Sequence, residues 1–271
     1  MEQVIQIATI VLTILIGLVV GSFLNVVIYR LPNNMSLAKP ASHCPKCNSP
    51  IKWYDNIPIL SYIILRGKCR NCGEKISIRY PFIEFLNTVL WFLCLLVFTN
   101  FILPNNELNW LKFIVSCILC SVLICIFFID LDSMEIPEVL QLFFLLGGVV
   151  LLLDHPSQET IMLKVFGFLG AGLLFYLVNL VFKAIRKRDG IGFGDIELVA
   201  LMGLVIGGYK MIYALIIACV GGGLFLIIYS LIKKDKGREY PFAPLLVTGI
   251  LIAMFTGDMV VNWYLGLLGV N

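Results

Sequence analysis

The sequence predicts an all-α polytopic membrane protein of about eight transmembrane helices, interrupted once by a long polar loop. Three observations lead there. The 271 residues are 60% hydrophobic and only 14% charged, whereas soluble domains run near half apolar and a quarter charged. The mean hydropathy is +0.96. The apolar residues are gathered into runs, and a helix that crosses a bilayer needs about 20 of them. Within hydrocarbon every backbone N–H and C=O must be paired internally, which makes the helix the expected form of each run.

The runs fall at 4–29, 82–103, 111–130, 138–153, 161–182, 193–208, 211–232 and 242–268. The first is expected to be a membrane helix and not a cleaved signal. It is too long for a signal core, Glu2 stands where a basic segment would be needed, and no small-residue cleavage site follows. The fourth and sixth are short, and the last contains Gly257-Asp258. Segments 30–81, 183–190 and 233–241 hold nine, four and four Lys/Arg residues, 17 of the chain's 20. Lys112, Lys164 and Lys210 fall on the other side of the alternation. Basic loops stay cytoplasmic, so the N-terminus is expected outside, with 30–81, 131–137, 183–190 and 233–241 inside. Three parts follow: a first transmembrane helix (1–30), a cytoplasmic loop domain (31–81) and a multi-helix membrane domain (82–271). The tripeptide YPF occurs at 80–82 and 240–242, each time where a loop enters a helix, a place that suits proline.

The loop domain is too long for a simple connection and carries CPKC (Cys44, Cys47) and CRNC (Cys69, Cys72), with 21 residues between them. Two such pairs form a zinc-site pattern, each a short knuckle giving two thiolates to one tetrahedral ion. Asn71, Cys72 and Gly73 suit a turn at the second knuckle. Two disulfides or a redox pair are the rivals, but a cytoplasmic loop is kept reduced and the loop lacks a thioredoxin-like βαβ pattern. Four thiolates leave no open coordination position, so the zinc is expected to be structural. Cys94, Cys117, Cys120, Cys125 and Cys219 lie in apolar runs and read as small packing residues. His43 beside Cys44, and His155, read as ordinary loop histidines.

Two carboxylates stand out. CIFFIDLDSMEIPEV places Asp130 at the end of the third run, and DGIGFGDIELV places Asp195 at the start of the sixth. Both ends face the same side in the alternation above. An acid at the membrane face is by default a functional residue. Two juxtaposed carboxylates are what an aspartic protease needs, one as base toward water and one as proton donor to the carbonyl oxygen. Gly192 and Gly194 can allow unusual backbone angles and close approach of a substrate strand. Asp195 suits a helix N-terminus, whereas Asp130 lies at a helix C-terminus, where negative charge is disfavoured. Asp132, Glu135 and Glu138 read as solvated, Glu197 as facing elsewhere, and Asp258 as lying at the far side. Two other classes compete: a non-catalytic assembly factor that docks through a zinc ribbon, and a transporter using the two Asp as ion or proton carriers. A transporter is expected to hold its acids near the midplane of related halves, and the chain has neither feature.

At these residues the chain resembles the type IV prepilin peptidase/N-methyltransferase family of GxGD-type intramembrane aspartic proteases. GSFLNVVIYRLP (21–32), the loop from Cys44 through ISIRYPFIE (76–84), IDLDSMEIPE (129–138) and GFGD (192–195) match its motifs in order. The resemblance implies catalysis by Asp130 and Asp195, with Gly192 and Gly194 supporting. Family members often have Lys where this chain has Glu197. It further implies cleavage of prepilins, pseudopilins or competence pilin-like substrates after a glycine, at the cytoplasmic face of the bacterial inner membrane. The new N-terminus would then be methylated with S-adenosylmethionine. Asn25, Arg30 and Glu84 are candidates for methyl-donor or substrate binding by position alone; Arg30 also reads as an interfacial anchor and Asn25 as a packing residue. The lipid bilayer is the expected surround, and no nucleic-acid partner is expected.

Overall fold

Each apolar run folds as a helix, and the breaks fall where the sequence supplies Gly, Pro or charge. The computed structural model describes residues 2–99, 109–154, 157–188, 190–233, 240–267 and 269. The helices are α1 (Glu2–Arg30), a short α2 (Leu60–Ile64), α3 (Arg79–Phe98), α4 (Trp110–Ser133), α5 (Glu138–Asp154), α6 (Gln158–Arg186), α7 (Phe193–Ile206), α8 (Gly208–Lys233) and α9 (Ala243–Leu267). The only strand-like pairings among the described residues are two isolated bridges in the polar loop. His155 and most of the 233–241 loop lie outside the described residues.

Each of the eight expected runs carries a helix, but among the described residues only six helices are long and apolar enough to cross a membrane, not eight. These are Gln3–Arg30, Arg79–Phe98, Trp110–Ser133, Gln158–Arg186, Gly208–Phe225 and Ala243–Leu267. The shortfall is one of length. With 17 residues in α5 and 14 in α7, they reach about 25 and 21 Å at 1.5 Å per residue, against a hydrocarbon layer of about 30 Å.

The chain divides into two compact units, residues 1–125 and 126–271. In the first, α1 packs on α3 at very short range. A Cβ on Gly21 would lie 2.7 Å from the Glu84 Cα, so only glycine fits there. The buried Asn87 donates to the Gly17 carbonyl at 2.8 Å and accepts from the Ser121 hydroxyl at 2.7 Å; Trp91 Nε1 donates to Ser121 at 3.0 Å. Without a hydrophobic force between helices in lipid, small residues and shared hydrogen bonds hold the packing. Cys94, Cys117 and Cys120 are buried there, with the Cys94 and Cys120 sulfurs 3.7 Å apart.

In the second unit α7 is the central element, packed by α5, α6, α8 and α9. That explains why it is apolar all round and short: its neighbours, not lipid, cover it. A Cβ on Gly167 or on Gly203 would collide with the other residue's backbone, so α6 and α7 cross in main-chain contact. Gly207, at φ +84°, then turns the chain into α8 in a conformation that other residues resist. Gly203→Leu is expected to destabilise this unit by about 1–3 kcal/mol or more through overpacking, read as a lower thermal midpoint in detergent; an unchanged midpoint would refute the contact.

Candidate active site and thiol cluster

Asp130 lies in the last turns of α4 and is 5% exposed. Its Oδ2 accepts the Ala243 N–H at 3.0 Å. Ala243 is the first residue of α9, so the carboxylate sits on a helix N-terminus. That supplies what Asp130 lacks on its own helix, a positive dipole end facing a negative charge. Phe242, which precedes α9, stacks with Phe175 of α6 at 6.3 Å between centroids and holds that corner.

Asp195 is the third residue of α7, whose N-cap is Gly192. Its N–H donates to the Gly192 carbonyl at 3.2 Å, and its carboxylate lies against the Gly192 main chain. The Asp195 Oδ1 is buried without a hydrogen-bond partner. The two aspartates lie within electrostatic range of each other. Asp130 is therefore aimed by a backbone N–H at the start of α9, and Asp195 stands in the first turn of α7.

Gly192 and Gly194 serve a different purpose from the expected freedom of backbone angle. Gly192 is extended, at φ −63° and ψ 145°, a conformation open to any residue. A Cβ there would sit 3.2 Å from Asp195 Oδ2, and one on Gly194 would sit 3.1 Å from the Ile136 Cβ. A side chain at either position would crowd the carboxylate or the 130–138 segment, which come close there.

Two amides hold the same turn. Asn179 Oδ1 accepts the Gly190 and Ile191 N–H groups at 2.9 and 3.0 Å, and Gln141 Nε2 donates to the Gly194 carbonyl at 3.2 Å. Neither was expected from the sequence. Each is a single polar residue inside an apolar run, and that was the available signal. Glu197 interacts electrostatically with Glu138. Asp258 pairs with Lys210 at 2.5 Å, away from the aspartates' helix ends.

In the first unit, Cys44, Cys47, Cys69 and Cys72 bring their sulfurs within 4.8 Å of one another. The two knuckles are copies of one structure. Cys44 N–H donates to Ser49 O and Asn48 N–H to Cys44 O; Cys69 N–H donates to Glu74 O and Gly73 N–H to Cys69 O. The residue after the second cysteine is left-handed in both, Asn48 at φ +54° and Gly73 at φ +74°. The Cys44 and Cys72 sulfurs are 3.8 Å apart; tetrahedral zinc with bonds of about 2.3 Å puts sulfurs about 3.8 Å apart. Hydrogen bonding to the Ser49 hydroxyl and main chain lowers Cys47 to about 6. At Cys72 a main-chain hydrogen bond with Glu74 acts downward, but burial and the three other thiols outweigh it and push the group up to about 12. Four thiols this close cannot all ionise alone, and a dication would relieve that conflict, so the donor set fits zinc. His43 turns its Nδ1 to the Ala41 carbonyl at 3.0 Å and stays out of the cluster.

Arg30, Asn25 and Glu84 are structural contacts in the first instance. Arg30 is 6% exposed and donates to the Ser36 and Pro40 carbonyls at 2.9 and 2.7 Å, so it braces the loop and is no exposed interfacial anchor. Asn25 donates to the Gly21 and Tyr80 carbonyls, both at 3.3 Å, a packing bond across to α3. Glu84 Oε2 accepts the Ile59 N–H at 2.7 Å. Ile59 has φ +58°, a strained conformation for a β-branched residue.

Compared with known proteins, residues 117–227 match the Type IV leader peptidase family, and residues 15–98 match the Bacterial Peptidase A24 N-terminal domain. A Neisseria gonorrhoeae protein named prepilin leader peptidase/N-methyltransferase is 33% identical, over 94% of this chain and 94% of its own length. A protein of the same name from Pseudomonas aeruginosa is 31% identical over 97% and 95%. The type 4 prepilin-like proteins leader peptide-processing enzyme of Escherichia coli is 33% identical over 88% and 91%. No solved structure matches the chain.

Proposed function

This chain belongs to the type IV leader peptidase family, and from that premise we propose that it removes the leader peptide of prepilins, pseudopilins or competence pilin-like proteins after a glycine, with Asp130 and Asp195 as the catalytic pair. The observation that carries this reading is the pair itself: two acids from different helices, Asp130 held by the Ala243 N–H at the start of α9 and Asp195 in the first turn of α7, within electrostatic range of each other.

Two carboxylates so placed share one proton, and their titration belongs to the pair. The ionised member takes a proton from water as the water oxygen bonds to the scissile carbonyl carbon. The protonated member donates to the carbonyl oxygen. The tetrahedral species collapses with rupture of the C–N bond, and the leaving amine takes up a proton from the pair. Gly192 leaves the space beside the Asp195 carboxylate free of a side chain, and Gly194 lets the Ile136 segment approach.

The protein is a multi-pass protein of the inner membrane. The four-cysteine loop and both aspartates are assigned to the cytoplasmic side, with the N-terminus outside. The support is the placement of 17 of 20 Lys/Arg in segments 30–81, 183–190 and 233–241.

The second proposed activity is methylation of the new N-terminus, associated with residues 31–81. Zinc on Cys44, Cys47, Cys69 and Cys72 would hold the two knuckles together. S-adenosylmethionine, when bound, supplies an electrophilic methyl group. A groove of about 340 Å³ beside the end of α1, lined by Ser22, Phe23, Arg30, Ser42, Asn56 and Pro58, is the candidate donor site. It has the size, mixed polarity and buried cation suited to a small ligand bearing a carboxylate. Glu84 holds the strained Ile59, the residue after the lining Pro58, and Asn25 ties α1 to α3. Glu84→Ala is expected to cost about 1–3 kcal/mol locally, the scale of leaving the Ile59 N–H without its partner. The measurement is hydrogen exchange over 57–64, with methyl transfer falling in step; unchanged exchange would refute the brace.

The test of the whole reading is incubation of the purified protein in detergent with a prepilin, with and without S-adenosylmethionine, and mass spectrometry of the product. Loss of the leader after glycine, plus one methyl mass when donor is present, is the expected result. Failure across several pilin-like substrates would sink it.

A further inference from the structure

Gln141 is a buried polar group that the reaction as written does not use. It lies at the start of α5 and is 1% exposed. Its Nε2 donates to the Gly194 carbonyl at 3.2 Å, while its Oε1 is buried with no partner among the described residues. Turning the amide over would set Oε1 against a carbonyl oxygen, so the donor assignment follows from the chemistry of the contact. A buried amide with half its hydrogen bonding unmet is unfavourable, and an apolar side chain of similar size would avoid that cost. Leucine or methionine would satisfy packing better. Gln141 is thus explained by where its one bond goes.

That bond lands on the peptide that joins Gly194 to Asp195. The Gly194 carbonyl and the Asp195 N–H share one plane; the Gly192 carbonyl holds the N–H side at 3.2 Å and Gln141 holds the carbonyl side, so the two bonds together set the rotation of that plane and the direction in which the Asp195 side chain leaves the backbone. Ile136 packs on Gly194 as well. Ile136 and Gln141 both belong to the stretch that follows Asp130, so the segments carrying the two acids are joined at this amide. Asn179 holds the same turn on its other side through the Gly190 and Ile191 N–H groups, leaving Gln141 as the side-chain anchor recorded on the carbonyl that adjoins the acid.

We propose that Gln141 is a positioning residue for peptide cleavage: its amide orients the Gly194–Asp195 peptide and thereby aims Asp195 toward Asp130. The proposal rests on the assignment of Asp130 and Asp195 as the catalytic pair. A residue of this kind trades stability for geometry, which separates it from one that merely fills space.

The experiment compares wild type, Gln141→Leu, Gln141→Glu and Asp195→Asn for thermal midpoint in detergent and for prepilin cleavage across pH. For Gln141→Leu the expected result is a midpoint equal to or above wild type, kcat lower by tenfold or more, KM within twofold, and a displaced pH–rate profile. For Gln141→Glu, only the protonated acid can donate to the Gly194 carbonyl, so its activity is expected to shift toward lower pH relative to wild type. A midpoint and activity that fall together with an unmoved pH profile would make Gln141 a structural residue and overturn the proposal. An unchanged kcat in Gln141→Leu would overturn it as well. Asp195→Asn distinguishes the two levels: if it cleaves like wild type, the catalytic pair itself is wrong, whereas an inactive Asp195→Asn beside a fully active Gln141→Leu refutes only the positioning role.

Discussion

Asp130→Asn and Asp195→Asn are each expected to abolish leader cleavage, lowering kcat by about a thousandfold or more while KM stays close to wild type. General acid–base catalysis alone supplies about 10²–10⁴, and removing either acid leaves a pair that can no longer both take and give a proton. Asparagine is nearly isosteric, and its oxygen can still accept the Ala243 N–H at position 130, so the thermal midpoint should move little. Loss of activity without loss of fold is the signature. The wild-type pH–rate profile should be bell-shaped. As pH falls, the second carboxylate takes a proton and the base is lost; as pH rises, the last proton leaves and the donor is lost. Cleavage is measured by mass spectrometry of the product N-terminus. Equal cleavage by wild type and both variants would remove the pair from the mechanism. The same two substitutions separate the rival classes, since a docking factor would tolerate them and a transporter would lose ion flux without ever having cut a prepilin.

Cys44→Ser combined with Cys72→Ser is expected to strip zinc from the protein and to reduce methyl transfer at least tenfold, while cleavage falls far less. Structural zinc sites in small domains contribute on the order of 10–16 kcal/mol of apparent binding free energy, which is more than residues 31–81 can replace. That loop has two isolated bridges, a 3-10 turn at Trp53–Asn56 and the five-residue α2 as its regular structure. Metal content is read by elemental analysis, expected at one zinc per chain in wild type and none in the double variant. A chelator should produce the same loss, and added zinc should reverse it. Wild-type protein without zinc, still methylating its product, would refute the metal assignment.

Much of this architecture was legible because lipid simplifies the reading. Every long helix falls on an apolar run, since in hydrocarbon no other backbone arrangement satisfies its own polar groups. The count of crossing helices was not legible to the same degree. Runs 138–153 and 193–208 look like spans by composition, yet α5 and α7 are too short to be spans on their own. A helix buried among helices and one facing lipid use the same residues, so hydropathy cannot tell them apart. The site divides similarly. The CxxC pairs are local and were readable from spacing, while the use of Asn48 at the position equivalent to Gly73 emerged only from the matching left-handed turns.

The sequence by itself determined that this is a helical membrane chain with a four-thiol loop and two acids at helix ends. Those properties follow from composition and from spacings of a few residues, which survive without knowledge of the fold. Only the tertiary structure decided what answers the charge of Asp130: the N-terminus of α9, more than a hundred positions further along the chain. It also decided that Ile136 comes close enough to Gly194 to crowd a side chain there, and that Arg30 is a buried brace for the loop. The first two are contacts between segments far apart in the chain, and the third closes within the loop that follows α1. Packing sets such contacts, and no local pattern of residues encodes them.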